Sequence, residues 1–273
     1  MRVSAVVISH GHREELSHSL PALLPQVDEA VVIANLPGSE PGDSLGARVI
    51  EQPSPRSFAA NINAGAAATT GELVLVANPD TVPEPVAVGV LRAFMAERPR
   101  CGAAGPQMLD PDGRWQPSRR RFPTVGGTLV RRTPLRYLFP PLERQRRHYL
   151  LDEWPTEPVE TDWMLGGFLL IRRAAFDEVG GFDEGFRMYG EEIDFCYRLA
   201  RAGWERWYVP AAVVRHRWDA FTDRRLLTRR TICRSGSCAS FASIPSGCAP
   251  CGDPPSFPAG PRLRGEWLSR RAC

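Results

Sequence analysis

The sequence lacks lysine altogether, so all 34 of its basic residues are arginine. It also lacks any run of the roughly 18 apolar residues that a membrane-spanning helix needs. The first apolar run, "VSAVVIS", is too short for a signal peptide. We therefore expect a cytoplasmic protein. Arginine and acidic residues balance over residues 1–230, so the net charge of +3 arises beyond them and says little about partners. We expect no nucleic-acid partner.

A glycine-rich dinucleotide fingerprint is missing as well. The segment after the first apolar run reads "SHGHREEL" and contains a single glycine, whereas dinucleotide-binding enzymes place several glycines in this turn. This argues against a dinucleotide-binding oxidoreductase. With 43% hydrophobic and 24% charged residues, the composition is that of a soluble globular protein.

What the sequence does contain is an alternation of short apolar runs with helical patterns. The predicted strands are 3–9, 29–34, 47–52, 72–77, 101–106 and 166–173. The predicted helices are 14–24, 58–69, 85–98 and 191–202. This order predicts an α/β fold with a mostly parallel central sheet flanked by helices. In such sheets ligands bind beyond the carboxyl ends of the strands.

Three regions differ in character. Residues 1–106 hold the alternating pattern, and residues 107–230 continue the same domain. Within the second region, residues 114–147 are rich in arginine, which leaves open a solvated excursion or a functional basic surface. Residues 231–273 contain five of the seven cysteines and no apolar repeat, so we expect a disordered tail or an altered reading frame. A zinc site at Cys233, Cys238, Cys248 and Cys251 is the weaker alternative, because only the last pair has close spacing.

The apolar run "LVLVA" ends on Asn78-Pro79-Asp80-Thr81. An amide oxygen and a carboxylate two residues apart, on a backbone stiffened by proline, suit a hard cation such as Mg²⁺ or Mn²⁺. The alternative is that Asp80 or Thr81 caps the following helix.

A second cluster of acids opens the predicted helix at 191–202, with Glu191, Glu192 and Asp194 in its first turn. Carboxylates this close raise one another's pKa in a partly dry site, and a raised pKa suits a general base. The helix dipole alone also favours acids here, and Asp194 with Arg198 has the spacing of a surface ion pair. His216 follows the apolar run "AAVV"; such a histidine is usually structural, but it gains weight beside Asp80.

The order "NPDT", "DWMLGGFLLIRR", "GGFDEGFRMYGEEIDFCYRLARAGW" and "YVPAAVVRH" resembles the family 2 glycosyltransferases of the GT-A fold, and within them the bacterial rhamnosyltransferases of cell-wall and surface polysaccharide assembly. The resemblance covers residues 3 to about 222. It implies that Asp80 binds the cation with His216, that Glu192 is the catalytic base, and that Asp194 and Glu191 assist it. The implied donor-binding residues are Ser9, Asn35, Asn63, Asn78, Asp80, Gly166 and Gly167.

The resemblance also implies substrates. They are a nucleotide-diphosphate sugar, with dTDP-rhamnose as the candidate donor, and a saccharide or polyprenyl-diphosphate-linked saccharide as the acceptor. Arginines of residues 114–147 would suit the acceptor diphosphate or a peripheral membrane surface. An RNA-binding module is the weakest alternative, because the aromatic residues there are not spaced as a stacking platform.

The chain departs from the family pattern at the nucleotide side. Ala34 precedes Asn35 where the family has an Asp-Asn pair, and Pro55 and Ser57 replace an Asn and a Gly. These changes leave a non-catalytic nucleotide-sugar binder as the alternative. Glu192 stands where the family has Asp, which lengthens the base by one methylene, and proton transfer tolerates this if the carboxylate reaches the hydroxyl.

Overall fold

The computed structural model describes residues 1–42, 46–123, 154–186 and 189–217. The predicted tail at 231–273 and residues 124–147 of the arginine-rich segment lie outside the described residues. No helix within the described ranges is long and apolar enough to cross a membrane.

Strands and helices alternate through the first half of the chain, as predicted. The strands are β1 (Val3–Ser9), β2 (Glu29–Ala34), β3 (Arg48–Glu51), β4 (Leu73–Ala77), β5 (Thr81–Pro83), β6 (Cys101–Leu109), β7 (Trp115–Gln116), β8 (Arg119–Arg120), β9 (Val159–Glu160), β10 (Trp163–Met164), β11 (Phe168–Arg172) and β12 (Glu205–His216). The helices are α1 (Arg13–Leu23), continued by a 3-10 turn at Leu24–Gln26, α2 (Phe58–Ala67), α3 (Ala87–Glu97), α4 (Arg173–Glu178) and α5 (Glu191–Arg201).

One sheet organises the described residues, in the order β3-β2-β1-β4-β11-β6-β12-β5, with β7 on β6 and β9 on β12. Strands β3, β2, β1 and β4 are parallel, and β12 is parallel to β6. Strand β11 is antiparallel to both β4 and β6. All seven residues of β1 and all five of β4 are buried, because helices cover both faces of the sheet. The predicted α/β fold is confirmed.

The antiparallel β11 positions the candidate site. Since β11 runs opposite to β4, the residues before β11 lie at the carboxyl end of β4. Gly167 therefore meets Asn78, whose backbone N–H donates to the Gly167 carbonyl over 2.7 Å. Two segments about ninety residues apart are joined by this pairing at the edge where ligands bind in such sheets.

Two consecutive arginines at the other end of β11 bind the ends of helices. Arg172 donates to the carbonyls of Met95 and Arg98 at 2.8 and 3.0 Å. Arg173 donates to the carbonyl of Ala66 over 3.0 Å. These guanidinium groups add hydrogen bonds to carbonyls at the carboxyl ends of α3 and α2, where the regular helical hydrogen bonding stops.

Candidate active site

Asp80 lies in the tight turn between β4 and β5. Thr81 closes the turn, with its hydroxyl and its backbone N–H donating to the Asn78 carbonyl at 2.6 and 3.2 Å. Helix α3 begins six residues later, and its N-cap residue, Val86, makes no side-chain cap. The alternative that Asp80 or Thr81 caps this helix is therefore wrong.

His216 is brought to Asp80 by strand pairing. Strand β12 pairs antiparallel with β5 so that His216 lies opposite Thr81. The imidazole Nε2 lies 3.5 Å from Asp80 Oδ1. Both side chains are largely buried, at 11% and 15% exposure. The sequence-based pairing of these two residues is thus present in the structure.

Gln116 orients the imidazole, and sequence reasoning missed it. Its Nε2 donates to the His216 backbone carbonyl at 2.9 Å, which leaves its Oε1 to face His216 Nδ1 at 3.0 Å. In the neutral ring Nδ1–H then donates to Gln116, so the lone pair of Nε2 points towards Asp80. A second contact of this kind is usual for histidines that bind metal ions. No sequence pattern points to it, since Gln116 is a lone amide in a segment without regular periodicity.

This pair of side chains fits a divalent cation. Asp80 Oδ1 is buried and has no hydrogen-bond partner in the described part of the chain. At metal–ligand distances of about 2.1 Å, an oxygen and a nitrogen 3.5 Å apart can share one ion. No group of three or more metal-binding side chains is present among the described residues. Two protein ligands suit Mg²⁺ or Mn²⁺, which keeps other positions for water and phosphate oxygens.

Gly166 and Gly167 lie between the acid cluster and the pair Asp80–His216, which we call the cation pair because it could hold a cation. A methyl group on Gly167 would lie 3.4 Å from Asn78 Nδ2 and 3.8 Å from His216 Nε2. A methyl group on Gly166 would lie 3.6 Å from the Cβ of Glu192. Two adjacent glycines therefore contact both groups, and their missing side chains leave room for a ligand between them.

Glu192 has the properties of a base. Its side chain is partly exposed, and Gly190 N–H donates to its Oε2 over 3.2 Å. Burial, followed by repulsion from Glu191, raises its pKa to about 7. Glu191 is more deeply buried, with 4% of its surface exposed, and burial raises its pKa as well. Of the predicted mutual effect of the acids, the repulsion of Glu192 by Glu191 is present, and burial is the larger cause of the raised pKa.

Asp194 is paired. Its Oδ2 accepts from Arg198 Nε over 2.8 Å. The same guanidinium donates through Nη1 to the carbonyls of Val179 and Gly181 at 2.6 and 2.7 Å. The ion pair that the spacing predicted is therefore present, and it holds the glycine turn before α5. A role for Asp194 in orienting the base remains a prediction.

Ser9 and Asn35 lie at the carboxyl ends of β1 and β2. Asn35 donates to the backbone carbonyl of Arg56 and accepts from its N–H, at 3.0 and 2.8 Å. Its Nδ2 also lies 3.0 Å from Nδ1 of His10. The buried Ser9 accepts the Asn35 backbone N–H over 2.8 Å through its carbonyl. Both residues shape the loops at this edge, and direct contact with a donor remains a prediction.

Asn63 joins α2 to the loop before α5. Its amide accepts from Phe182 N–H and donates to the Phe182 carbonyl, both at 2.9 Å. Its Nδ2 also reaches Glu184 Oε1 at 3.0 Å. Glu184 in turn pairs with Arg56 at 3.3 Å. Asn63 thus positions the loop that precedes α5, and its contact with a donor remains a prediction.

A groove of about 800 Å³ lies elsewhere, between α1 and the segment from β5 to α3. Pro21, Pro25, Val82 and Val86 contribute to its wall, and none of the predicted site residues lines it. The site between Asp80 and Glu192 is therefore identified by converging polar groups, and not by the size of a cavity.

Comparison with known proteins decides the family. The family model described as "Glycosyltransferase like family 2" matches residues 38–233. The chain belongs to this family. The match spans both Asp80 and the acid cluster, as the sequence motifs predicted.

Two curated relatives of this family 2 chain are rhamnosyltransferases. An N-acetylglucosaminyl-diphospho-decaprenol L-rhamnosyltransferase of Mycobacterium tuberculosis is 41% identical over 155 residues, which cover 55% of this chain and 48% of the relative. Rhamnosyltransferase WbbL of Escherichia coli is 35% identical over 97 residues, covering 30% of this chain and 37% of the relative. The chain therefore matches about half or less of the length of these relatives.

Solved structures show the same fold at low sequence identity. GalNAc-T7 with UDP, GalNAc and Mn²⁺ has a TM-score of 0.57 and 17% identity, covering 79% of this chain and 44% of the other. TarS 1-349 of S. aureus in complex with UDP-GlcNAc has a TM-score of 0.53 and 14% identity, covering 84% and 62%. These neighbours confirm the predicted GT-A fold of the family 2 chain.

Proposed function

We propose that this chain is the catalytic domain of an inverting, metal-dependent glycosyltransferase that moves a sugar from a nucleotide diphosphate to a hydroxyl of a saccharide acceptor. The observation that carries the proposal is the convergence of Asp80, His216 and Glu192 around Gly166 and Gly167. A cation site and a carboxylate of raised pKa are the two groups that such a transfer needs.

On the donor side, Asp80 and His216 would hold Mg²⁺ or Mn²⁺. When bound, the ion supplies charge neutralisation for the departing nucleoside diphosphate. Gln116 keeps Nε2 of His216 available as a ligand by accepting the proton of Nδ1 in a hydrogen bond. Gly167 leaves room for the donor beside Asn78.

On the acceptor side, Glu192 would take the proton of the attacking hydroxyl. The acceptor oxygen forms a bond to the anomeric carbon while the bond from that carbon to the diphosphate oxygen breaks. The electron pair leaves with the diphosphate, the proton passes to the carboxylate, and the configuration inverts. A pKa of about 7 lets Glu192 be ionised before the step and protonated after it.

The names of the relatives support a proposal for the substrate class. The M. tuberculosis relative is named for a rhamnosyl transfer to N-acetylglucosaminyl-diphospho-decaprenol, and we propose dTDP-rhamnose and a polyprenyl-diphosphate-linked saccharide for this chain. Work at a lipid-linked acceptor would place the protein peripherally on the cytoplasmic face of a membrane.

A non-catalytic nucleotide-sugar binder is the second candidate. It is favoured by Ala34, which removes a carboxylate from the nucleotide side, and by the Asn35 amide, which is engaged by the Arg56 backbone. Such a protein would keep the cation pair and bind nucleotide without turnover.

The deciding experiment is a nucleotide-release assay with purified full chain, Mn²⁺ or Mg²⁺, a panel of dTDP-, UDP- and GDP-sugars, and a short-chain prenyl-diphosphate N-acetylglucosamine acceptor. Acceptor-dependent release that EDTA abolishes supports the transferase. Stabilisation by nucleotide and Mn²⁺ without release on any acceptor supports the binder.

A further inference from the structure

Tyr189 stands at the acid cluster with its side chain in solvent. It is 55% exposed, and it lies three residues before Glu192. A single exposed tyrosine needs no special explanation. Tyr197, within α5, is 49% exposed and packs its ring against Phe122 with 5.5 Å between ring centroids. Tyr189 differs from Tyr197 in its backbone conformation.

Tyr189 adopts a left-handed conformation with φ of 66°. Side chains with a Cβ disfavour this region, and glycine or asparagine would adopt it with less strain. Val86 is the only other residue besides glycine that has a positive φ in the described part of the chain. Strained residues of this kind cluster at functional sites. A bulky aromatic side chain at such a position, with its ring left in solvent, points to a contact outside the fold.

The backbone around Tyr189 is bound to the acid cluster. Gly190, next in the chain and also left-handed at φ of 99°, donates its N–H to Glu192 Oε2 over 3.2 Å. The N–H of Tyr189 favours the ionised form of Glu191 and so opposes the rise in its pKa that burial causes. The position of Tyr189 is thereby fixed relative to both acids.

We propose that the ring of Tyr189 is the platform on which the acceptor sugar packs beside Glu192, an inference that rests on the proposed glycosyl transfer. One face of a pyranose presents C–H groups that pack on an aromatic ring, and the phenol oxygen at the rim can bond a sugar hydroxyl. A sugar held there has its hydroxyls next to the carboxylate that accepts the proton, which is the orientation that the transfer requires.

The test compares Tyr189→Ala and Tyr189→Phe with the matched control Tyr197→Ala, all in the full chain. Tyr189→Ala should raise the acceptor KM about tenfold, because it removes the stacking surface. Donor KM and slow donor hydrolysis should not change. Tyr189→Phe should stay within about twofold of wild type. Tyr197→Ala should match wild type in acceptor KM.

Tyr189→Gly separates a binding role from a structural one. Glycine adopts φ of 66° without steric cost, so this variant should raise the Tm. Its acceptor KM should nevertheless rise as in Tyr189→Ala. If the role of Tyr189 were only structural, the glycine variant would keep the wild-type KM.

Acceptor binding is also measured directly, by calorimetry with the short-chain acceptor in the presence of nucleotide and Mn²⁺. An unchanged acceptor Kd and KM in Tyr189→Ala, or an equal rise in donor KM, would overturn the inference. If wild type binds acceptor but transfers nothing, the proposed function fails, and a weaker acceptor Kd in Tyr189→Ala still supports the platform. If wild type binds no saccharide at all, the platform is wrong.

Discussion

The two sides of the candidate site treat their polar groups differently. At the carboxyl end of β2 and in α2, the amides of Asn35 and Asn63 bond backbone groups of neighbouring loops on both their donor and acceptor sides. At the ends of β4 and α5, Asp80 Oδ1 and Glu191 Oε2 are buried without a hydrogen-bond partner among the described residues. Asn61 Oδ1 is an exception on the first side.

Whether a polar side chain has a hydrogen-bond partner in the protein distinguishes groups that hold the site together from groups that are available to a ligand. Buried polar atoms in folded proteins are nearly always paired, so an unpaired carboxylate oxygen indicates a place for an ion, a water or a substrate. Paired amides show that the loops around Asn35 and Asn63 are held by the protein itself. Substitutions on the two sides should therefore differ in whether activity or stability is lost first.

The largest effect is expected from Glu192→Gln. The amide cannot accept the proton of the acceptor, so kcat should fall by about 10²–10⁴, while nucleotide binding with Mn²⁺ stays unchanged. Nucleotide release and calorimetry measure the two quantities. Retention of most activity would show that another group is the base.

The same variant tests the pKa. The pKa of Glu192 is raised from 4.5 to about 7, so between these values the folded state binds more protons than the unfolded state. Stability contributed by this group is therefore lost as pH rises from about 4.5 to 7. Glu192→Gln should gain Tm relative to wild type at pH 8 and gain none at pH 4. Wild-type turnover should rise with pH, with a midpoint near 7.

Asp80→Asn should come next. The neutral amide weakens the cation pair with His216, and we expect kcat to fall by about 10²–10³, as when one electrostatic partner of a transition state is lost. Binding of Mn²⁺ together with nucleotide should weaken in calorimetry. Glu84→Gln is the matched control, since Glu84 pairs with Arg215 on a half-exposed surface and its loss should leave activity intact.

Gly167→Ala should have an intermediate effect. The added methyl would make ordinary contacts of 3.4–3.8 Å and no clash, so the chain should fold with nearly unchanged Tm. It would occupy the space between Asn78 and His216, and we expect donor KM to rise about tenfold. Gly89→Ala is the control, because its methyl meets nothing within 4 Å; it should stabilise α3 by about 0.5–1 kcal/mol and leave KM alone.

Asn63→Ala should have the smallest effect on activity, and that effect should be indirect. It removes both hydrogen bonds to Phe182 and should lower stability by about 1–3 kcal/mol in denaturant unfolding. Activity should fall only through displacement of the loop, with donor KM and acceptor KM changing together. A selective rise in donor KM at unchanged stability would instead restore Asn63 to the donor-binding residues and weaken the contrast between the two sides.

Much of this arrangement could be predicted from the sequence, because the patterns are local. The buried runs "VSAVVIS" and "LVLVA" form β1 and β4, and the acids of "GEEID", Glu191, Glu192 and Asp194, lie in the first turn of α5 as expected. The meeting of Asp80 with His216 followed from the family motifs.

The remainder depends on pairing between distant segments. The strand pattern of β11 cannot reveal that it runs antiparallel between β4 and β6. Strand β12 contains Pro210, near which its register with β6 shifts between Val209 and Val213, so its pattern reads as two short pieces. The contact of Gln116 with His216 depends on the pairing of β7 with β6, which the sequence pattern does not reveal.

The register of β12 against β5 has a consequence for folding. Because side chains alternate across a strand, a slip by one residue would present Arg215 to Asp80 in place of the imidazole. The proposed cation affinity should thus appear only after β12 has paired in its native register, since a partly folded sheet that contains only β1, β2 and β4 would lack His216 beside Asp80. The time at which Mn²⁺ binds during refolding would then report when β12 pairs with β5.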